Sequence, residues 1–455
     1  MMNNSLNYMK NRFYPIGAHV LLFLVCAMPI RPSLVHAIPS QLEQNSYFFG
    51  ELLKGCQASY LEEVPLQSLV RAGLLSFVEA SGCVLHWGSS QIKVRCYHES
   101  VAHDLPIDTA DGGAQLLSKV VNLNTVSKSS VPALREAMAK GIVNSMGDPF
   151  TAYLSPAEVR QLKNYGHWSV GIAMDPKHPD RIHGVRPGSS ADMRGVFVGD
   201  QILRVDGQSV KGKLYVDMSA ILVGPPEERL TIELSRHDGI HRFQLNRSDE
   251  EAIPIWAQKI NRDLLYMRPG KFDNGMADTM WVQLAPHAQV KGVVLDLRHN
   301  PGGLLSEGVS FLNGFVGQGK LGSVHPRVGH PVQKYTASQA QVLSGLPIVI
   351  LVDGGTASVA EFVALVLKER LGAVLIGQST LGKGRVQRVI SLPDAGAMRI
   401  SVAELVGPSG KRIRKSLDVE HFLAPAAGNT AISGKNPAED SWVAYAVGLL
   451  RKNNR

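Results

Sequence analysis

Apolar positions change period along the chain, and each change predicts a different kind of element. Over residues 41–80 they recur at helical spacing, as in Leu66, Leu69, Val70, Ala72 and Leu75, which predicts packed helices. Two short segments, 83–87 and 91–96, flank Gly88-Ser-Ser90 and predict a hairpin inserted among those helices. Helical spacing returns after Ser130, with Pro132 in a first turn and Leu134, Met138, Ile142 and Met146 on one stripe. Gly147-Asp148-Pro149 ends that helix, and Ser155-Pro156-Ala157-Glu158 has the form of a capping box opening the next.

Between Trp168 and Arg247 the pattern shifts to short strands, predicted at 169–174, 201–205, 231–234 and 241–245, which read as a small β-rich module. From Leu264 onward strands alternate with helices. Residues 292–297, apolar but for Asp296, and 347–352 are continuous runs, the pattern of strands buried on both faces, and each leads through a glycine-bearing loop into a helical stretch. The fold class is therefore read as α/β with α+β parts, in several domains.

At 455 residues and 44% apolar the chain can build two or three cores. Lys10 and Arg12, an apolar run over 20–30 and Val35-His36-Ala37 read as a secretory signal with a small-residue cleavage site. The run is too short to span a bilayer, and an uncleaved membrane anchor is the weaker reading. The chain carries 47 basic and 39 acidic residues; without Lys10, Arg12 and Arg31 the balance is 44 against 39, or +5. No Lys/Arg run resembles a phosphate-tracking patch, which argues against nucleic acid.

Export would place Cys56, Cys83 and Cys96 in an oxidising compartment. A hairpin turning at 88–90 sets Cys83 opposite Cys96, so a bridge is expected there, with Cys56 left as a buried small hydrophobe. Closing such a loop of about fifteen residues stabilises it by about 3 kcal/mol in the chain-entropy model. Trp87 beside the turn is either an exposed anchor for a regulatory partner or packed back on the helices. No Cys/His spacing suggests a metal.

Two loops could carry chemistry. The run 347–352 enters Asp353-Gly-Gly-Thr-Ala-Ser358, and residues 359–367 read as a helix. Ser358 thus falls where a buried strand turns into a helix, beside amides and a positive dipole end able to stabilise an oxyanion. The competing reading is a helix cap. Downstream, Lys383 stands between Gly382 and Gly384 at a sheet edge. A buried lysine loses hydration, its pKa falls, and the neutral amine can take a proton from a serine hydroxyl. The glycine spacing of a phosphate-binding loop is absent. A Ser/His/Asp triad competes, with His299 the histidine beside a loop of this core, but Lys383 is better placed.

The segments Asp353-Gly-Gly-Thr-Ala-Ser-Val-Ala-Glu361, Gly382-Lys-Gly-Arg-Val-Gln387 and Asp296-Leu-Arg-His-Asn-Pro-Gly-Gly303 resemble the carboxyl-terminal processing proteases of family S41, over about 131–419. That resemblance implies Ser358 as nucleophile, Lys383 as general base, Gln387 as the residue orienting the lysine, and an oxyanion hole of the Val359 amide with that of Gly302 or Gly303. It also implies a protease core of the ClpP/crotonase-like type, without cofactor or metal. Asp353, Thr356, Val359, Ala360 and His299 depart from the family's usual run, and Val359 is bulkier beside the nucleophile.

The β-rich module is similar to the family's PDZ domain, with Val170-Gly171-Ile172-Ala173 where a carboxylate-binding loop leads into a peptide-accepting strand, and Gly188-Ser-Ser-Ala191 and 199–207 matching the rest. The implied organisation is a signal over 1–37, a helical domain over 38–160 with the insertion at about 81–111, a PDZ domain over 161–250, a protease core over 251–430 and a C-terminal helix over 431–455. The expected function is an exported, periplasmic serine endopeptidase that engages protein or peptide substrates near their C-termini. The alternative is an inactive PDZ scaffold. A regulatory protein partner and oligomer formation are left open.

Overall fold

Short polar caps and a glycine stop delimit helices in the N-terminal part. Residues 39–453 are described by a computed structural model, apart from His98, 124–129, 166–167, Pro187, 250–254, 261–262, 285–289, 338–342, Ser344 and 425–436. The expected signal over 1–37 lies outside the described residues. Thr109 accepts from Gly112 N at the start of Ala110–Val121, and Ser130 accepts from Ala133 N at the start of Val131–Asn144. Gly82, at φ 74°, ends Leu66–Ser81 in the left-handed region that glycine adopts without strain.

With Gln41–Ser59, these helices enclose Phe48, Phe49, Leu52, Leu69, Phe77, Leu117 and Ile142, and Met398 and Ile400 of a later strand complete the core. Truncating any of these aromatics to alanine would cost about 3–5 kcal/mol. Helices Leu66–Ser81 and Val131–Asn144 cross closely at Gly141, where a methyl group would come within 3.0 Å of the Ala72 carbonyl oxygen.

The insertion is a three-stranded antiparallel sheet, Val84–Trp87, Gln91–Cys96 and Glu99–Asp104. The third strand was not expected from the sequence, because its polar residues show no clear alternation. Cys83 and Cys96 are disulfide-linked, Cys56 is free and buried, and burial pushes its thiol up to about 12. Ile92, Val94 and Cys96 alternate inward and join the helical core, which is how so small a sheet is held. Trp87 packs back on that core with the Arg71 guanidinium 5.6 Å from its ring centre, so it is not the exposed anchor.

The expected capping box is present: Ser155 N donates to Glu158 and Glu158 N donates to Ser155 Oγ. Beyond it, Gly239–Asn246, Arg229–Arg236, Gln201–Val205 and Gln208–Ser209 form one antiparallel sheet, and Ile172–Met174 pairs with Ile182–Val185. Helix Tyr215–Leu222 covers a core of Val170, Ile182, Ile202, Met218, Leu230, Ile232 and Leu245.

A six-stranded sheet follows in the order Trp256–Lys259, Leu264–Arg268, Gly292–Asp296, Ile348–Val352, Val374–Gly377, His421–Phe422. All neighbours are parallel except the first pair. Gly292–Asp296 and Ile348–Val352 are buried at every position, as their apolar runs predict. Helices Met276–Leu284, Leu305–Asn313 and Val359–Leu371 pack in the main core, while helix Ser441–Asn453 packs with Val294, Val349 and Leu351 in another. A second sheet contains Arg385–Ser391 and Ala397–Val406, with Ala152–Leu154 beside the latter. From Gln41 onward the chain forms one compact unit, within which the helical part, the β-module and the α/β part each have a core. Among the described residues no helix is long and apolar enough to cross a membrane.

Candidate active site

Ser358 lies at the C-terminal end of the buried strand Ile348–Val352, immediately before helix Val359–Leu371. Its backbone is at φ 57°, ψ −119°, a conformation that non-glycine residues adopt only under strain, and such strain collects at functional sites. Ser358 stands at the N-cap of that helix, and its own N–H donates to Glu361, three residues on, as in a capping box. The Val359 N–H, first in the helix, has no hydrogen-bond acceptor among the described residues.

The cap is supplied by Glu361, whose importance the sequence reading missed. Its fully buried carboxylate accepts Ser358 N at 2.8 Å, Lys383 N at 2.8 Å, Gly382 N at 2.7 Å and Thr380 Oγ1 at 2.5 Å. Burial raises its pKa, and these donors counter the rise. One side chain thus ties the serine turn to the lysine loop. The available signal was an acid three residues after Ser358, at the third position of the helix that starts at Val359.

Lys383 leads into strand Arg385–Ser391. Burial lowers its pKa to about 8, helped by the Arg399 guanidinium and opposed by Glu361 and Asp148. Its Nζ lies 5.6 Å from the centre of the Phe150 ring, and among the described residues no hydrogen bond joins it to Ser358 or to Gln387. The Gln387 amide instead donates to the Phe150 carbonyl. Phe150 also meets Tyr215 of the β-module edge to face at 5.5 Å, so one aromatic residue touches the lysine, the glutamine and the module.

The loop after Gly292–Asp296 approaches the serine closely. A methyl group on Gly302 would lie 2.8 Å from Ser358 Cβ and 2.8 Å from Val359 N. The Gly302 N–H donates to Asn300 Oδ1, so of the two expected glycine amides this one is already committed. Gly303, at φ 143°, faces Phe272, and its N–H has no acceptor among the described residues. Beneath the loop, Asp296 and Arg298 are buried and paired at 2.6 Å, with Tyr266 OH 2.8 Å from Asp296 and Asp440 2.8 Å from Arg298. Burial pushes the Asp296 carboxyl up, but Arg298, Arg268 and Tyr266 outweigh it and hold it at about 2. His299 is bonded to Asp353, and no bond joins its ring to Ser358 among the described residues.

Val170-Gly171-Ile172-Ala173 passes this site. Val170 is buried, Gly171 is at φ 85° with its N–H donating to Ser169 Oγ, and Ile172 and Ala173 open the strand Ile172–Met174. Among the described residues that strand pairs on one edge only. A cavity of about 230 Å³ runs between Ile172–Met174 and helix Tyr215–Leu222, and its far wall is His299, Ala357 and Lys383. His183 on the neighbouring strand reaches the Thr380 carbonyl at 3.2 Å, fastening the module to the lysine loop. No cluster of potential metal ligands occurs among the described residues.

The family model for Peptidase family S41 matches residues 263–420. A carboxyl-terminal-processing protease of Picosynechococcus sp. is 30% identical over 284 residues, which cover 59% of this chain and 68% of that protein. The chain belongs to peptidase family S41, a family of serine proteases. Within it, the chain is also 28% identical over 296 residues to a carboxy-terminal-processing protease of Bartonella bacilliformis, covering 62% of this chain and 67% of that one. The chain spans about two thirds of the length of both relatives. Its fold matches the photosystem II D1 C-terminal processing protease with a TM-score of 0.61 and 23% identity, over 86% of this chain and 94% of that one. Motif resemblance and overall fold thus place this chain among the S41 processing proteases.

Proposed function

We propose that this S41 protease is an exported serine endopeptidase that holds protein substrates in a PDZ groove near their C-termini and cuts them with Ser358 as nucleophile and Lys383 as base. One observation carries this reading: the one-sided strand Ile172–Met174 and Lys383 line the same cavity. A peptide added along that strand would be led directly to the serine turn.

In the first step Lys383 Nζ, neutral once deprotonated, leaves the Phe150 ring and takes the Ser358 hydroxyl proton as Oγ bonds to the scissile carbonyl carbon. Negative charge on the former carbonyl oxygen is met by the N–H groups of Val359 and Gly303. Collapse breaks the C–N bond while the lysine ammonium returns its proton to the leaving amine. Water, deprotonated by the neutral Lys383 amine, then attacks the acyl carbon; the C–Oγ bond breaks, the new C-terminal carboxyl group leaves, and the lysine ammonium returns its proton to Ser358 Oγ. Gln387 would release Phe150 to hold the lysine during these steps.

Export is supported by the basic, apolar and small-residue signature over 1–37 and by the Cys83–Cys96 disulfide, a bond that persists in an oxidising compartment such as the periplasm. The reading is tested by degradation of unfolded casein by residues 38–455. Ser358→Ala and Lys383→Ala should abolish it. Equal, negligible rates for all three, with peptide binding retained, would instead support a scaffold.

A further inference from the structure

The loop that follows Gly292–Asp296 and the loop that carries Ser358 are cross-linked by one buried side-chain pair. Asp353 stands on the serine loop. Its Oδ1 accepts the backbone N–H of His299 at 2.9 Å and that of Gly355 at 2.9 Å, and its Oδ2 lies 2.7 Å from His299 Nε2. Both side chains are largely buried, at 12% and 6% exposure. His299 therefore grips a single carboxylate with its backbone and its ring together.

That grip is formed at the expense of local backbone comfort. His299 is at φ 57°, one of few non-glycine residues here in the left-handed region. Glycine would occupy that conformation without strain, and histidine, like asparagine, is among the side chains that tolerate it, so the imidazole is what distinguishes this residue from either. The rest of the loop is secured independently: Asn300 accepts Ala357 N through its carbonyl and donates through Nδ2 to Pro269 and Gly270. Loss of the ring should leave the loop folded but free to shift. Two residues on, Gly302 is so close to Ser358 and Val359 that a small shift would move the Gly303 N–H relative to the reacting carbon.

We infer that His299, through its bond to Asp353, is a positioning residue that sets the oxyanion loop against Ser358. The inference rests on the Ser358/Lys383 reading. It concerns kcat, because the oxyanion, unlike the bound ground-state peptide, forms only in the transition state.

The test is steady-state hydrolysis of a fluorogenic peptide, with melting temperatures, for wild type, His299→Ala, His299→Asn and His299→Gln, with Lys383→Ala alongside. Expected are a 10- to 100-fold lower kcat for both His299→Ala and His299→Asn, KM within twofold, and a smaller fall in melting temperature for His299→Asn, which tolerates φ 57°, than for His299→Ala. His299→Gln, whose amide nitrogen can stand in for Nε2, should recover to within about threefold of wild type. Wild-type kcat in His299→Asn, kcat losses that track melting temperature, or a glutamine variant no better than alanine would overturn the inference. Lys383→Ala as active as wild type would overturn the reading beneath it. With Lys383→Ala inactive and the His299 variants unchanged, only the inference falls.

Discussion

Lys383 Nζ sits 5.6 Å from the centre of the Phe150 ring, while the carbonyl of the same phenylalanine takes the Gln387 amide. The base and the residue expected to orient it are thus held by one aromatic residue, on which Tyr215 of the β-module also leans. An aromatic face favours the ammonium form, so the arrangement stores the lysine charged beside the site.

The pH profile should follow this lysine. With its pKa lowered to about 8, first by burial and then by Arg399, kcat/KM for peptide hydrolysis should rise with pH and level off above an inflection near 8. Lys383→Arg should lose at least a thousandfold, because guanidinium stays protonated. EDTA should leave the rate unchanged. A flat profile from pH 6 to 9, measured under initial-rate conditions, would count against the lysine.

Stability should move the opposite way to activity at this position. The folded pKa of Lys383 lies below the unfolded value of 10.5, so the folded state disfavours the charged amine. Below about pH 8 both states are protonated and the full penalty is present; it is relieved as pH climbs from 8 towards 10.5. Lys383→Met should therefore be inactive yet melt higher than wild type at pH 7, with the gap closing by pH 10. Thermal unfolding at those two values measures it.

Acid should act through Asp296. Its carboxyl, held at about 2 in the folded chain, contributes stability above the unfolded value of about 4, and that contribution is lost as pH falls towards 2. Arg298→Met leaves Asp296 and Asp440 buried without their cation, and should cost about 3–5 kcal/mol in urea unfolding at pH 7. Asp440 also accepts Trp442 N at the start of helix Ser441–Asn453, so this helix should loosen with it.

Glu361→Gln is nearly isosteric but puts an NH2 group among four donors. One of the bonds to Ser358 N, Lys383 N, Gly382 N or Thr380 Oγ1 must then be lost. A fall in kcat of about 10- to 1000-fold with KM nearly unchanged is expected from progress curves.

The sequence carried what depends on local period and on motif. The buried strands at 292–297 and 347–352, the Ser155/Glu158 box and the Cys83–Cys96 hairpin were legible because each is set by neighbours in the chain. Strand Glu99–Asp104 was not, because its place comes from pairing with Gln91–Cys96 and not from its own pattern. Helix Tyr215–Leu222 was missed for a related reason: at eight residues it is short, and its burial against the Ile202 and Leu234 core is tertiary.

At the site, Ser358 and Lys383 could be named from strand–loop–helix patterning and motif. Phe150 could not, since it reaches Lys383 from more than two hundred positions earlier in the chain. The commitment of the Gly302 amide to Asn300 likewise depends on how the loop folds back on itself.

Covalent labelling of the nucleophile tests the central claim most directly. Residues 38–455 are incubated at pH 9 with a fluorophosphonate, and the adduct is located by peptide mass spectrometry. A single phosphonyl group on Ser358, formed more slowly in Lys383→Ala and absent in Ser358→Ala, is the predicted result. An adduct on another residue, or labelling of Ser358 at the same rate without Lys383, would contradict the Ser358/Lys383 account.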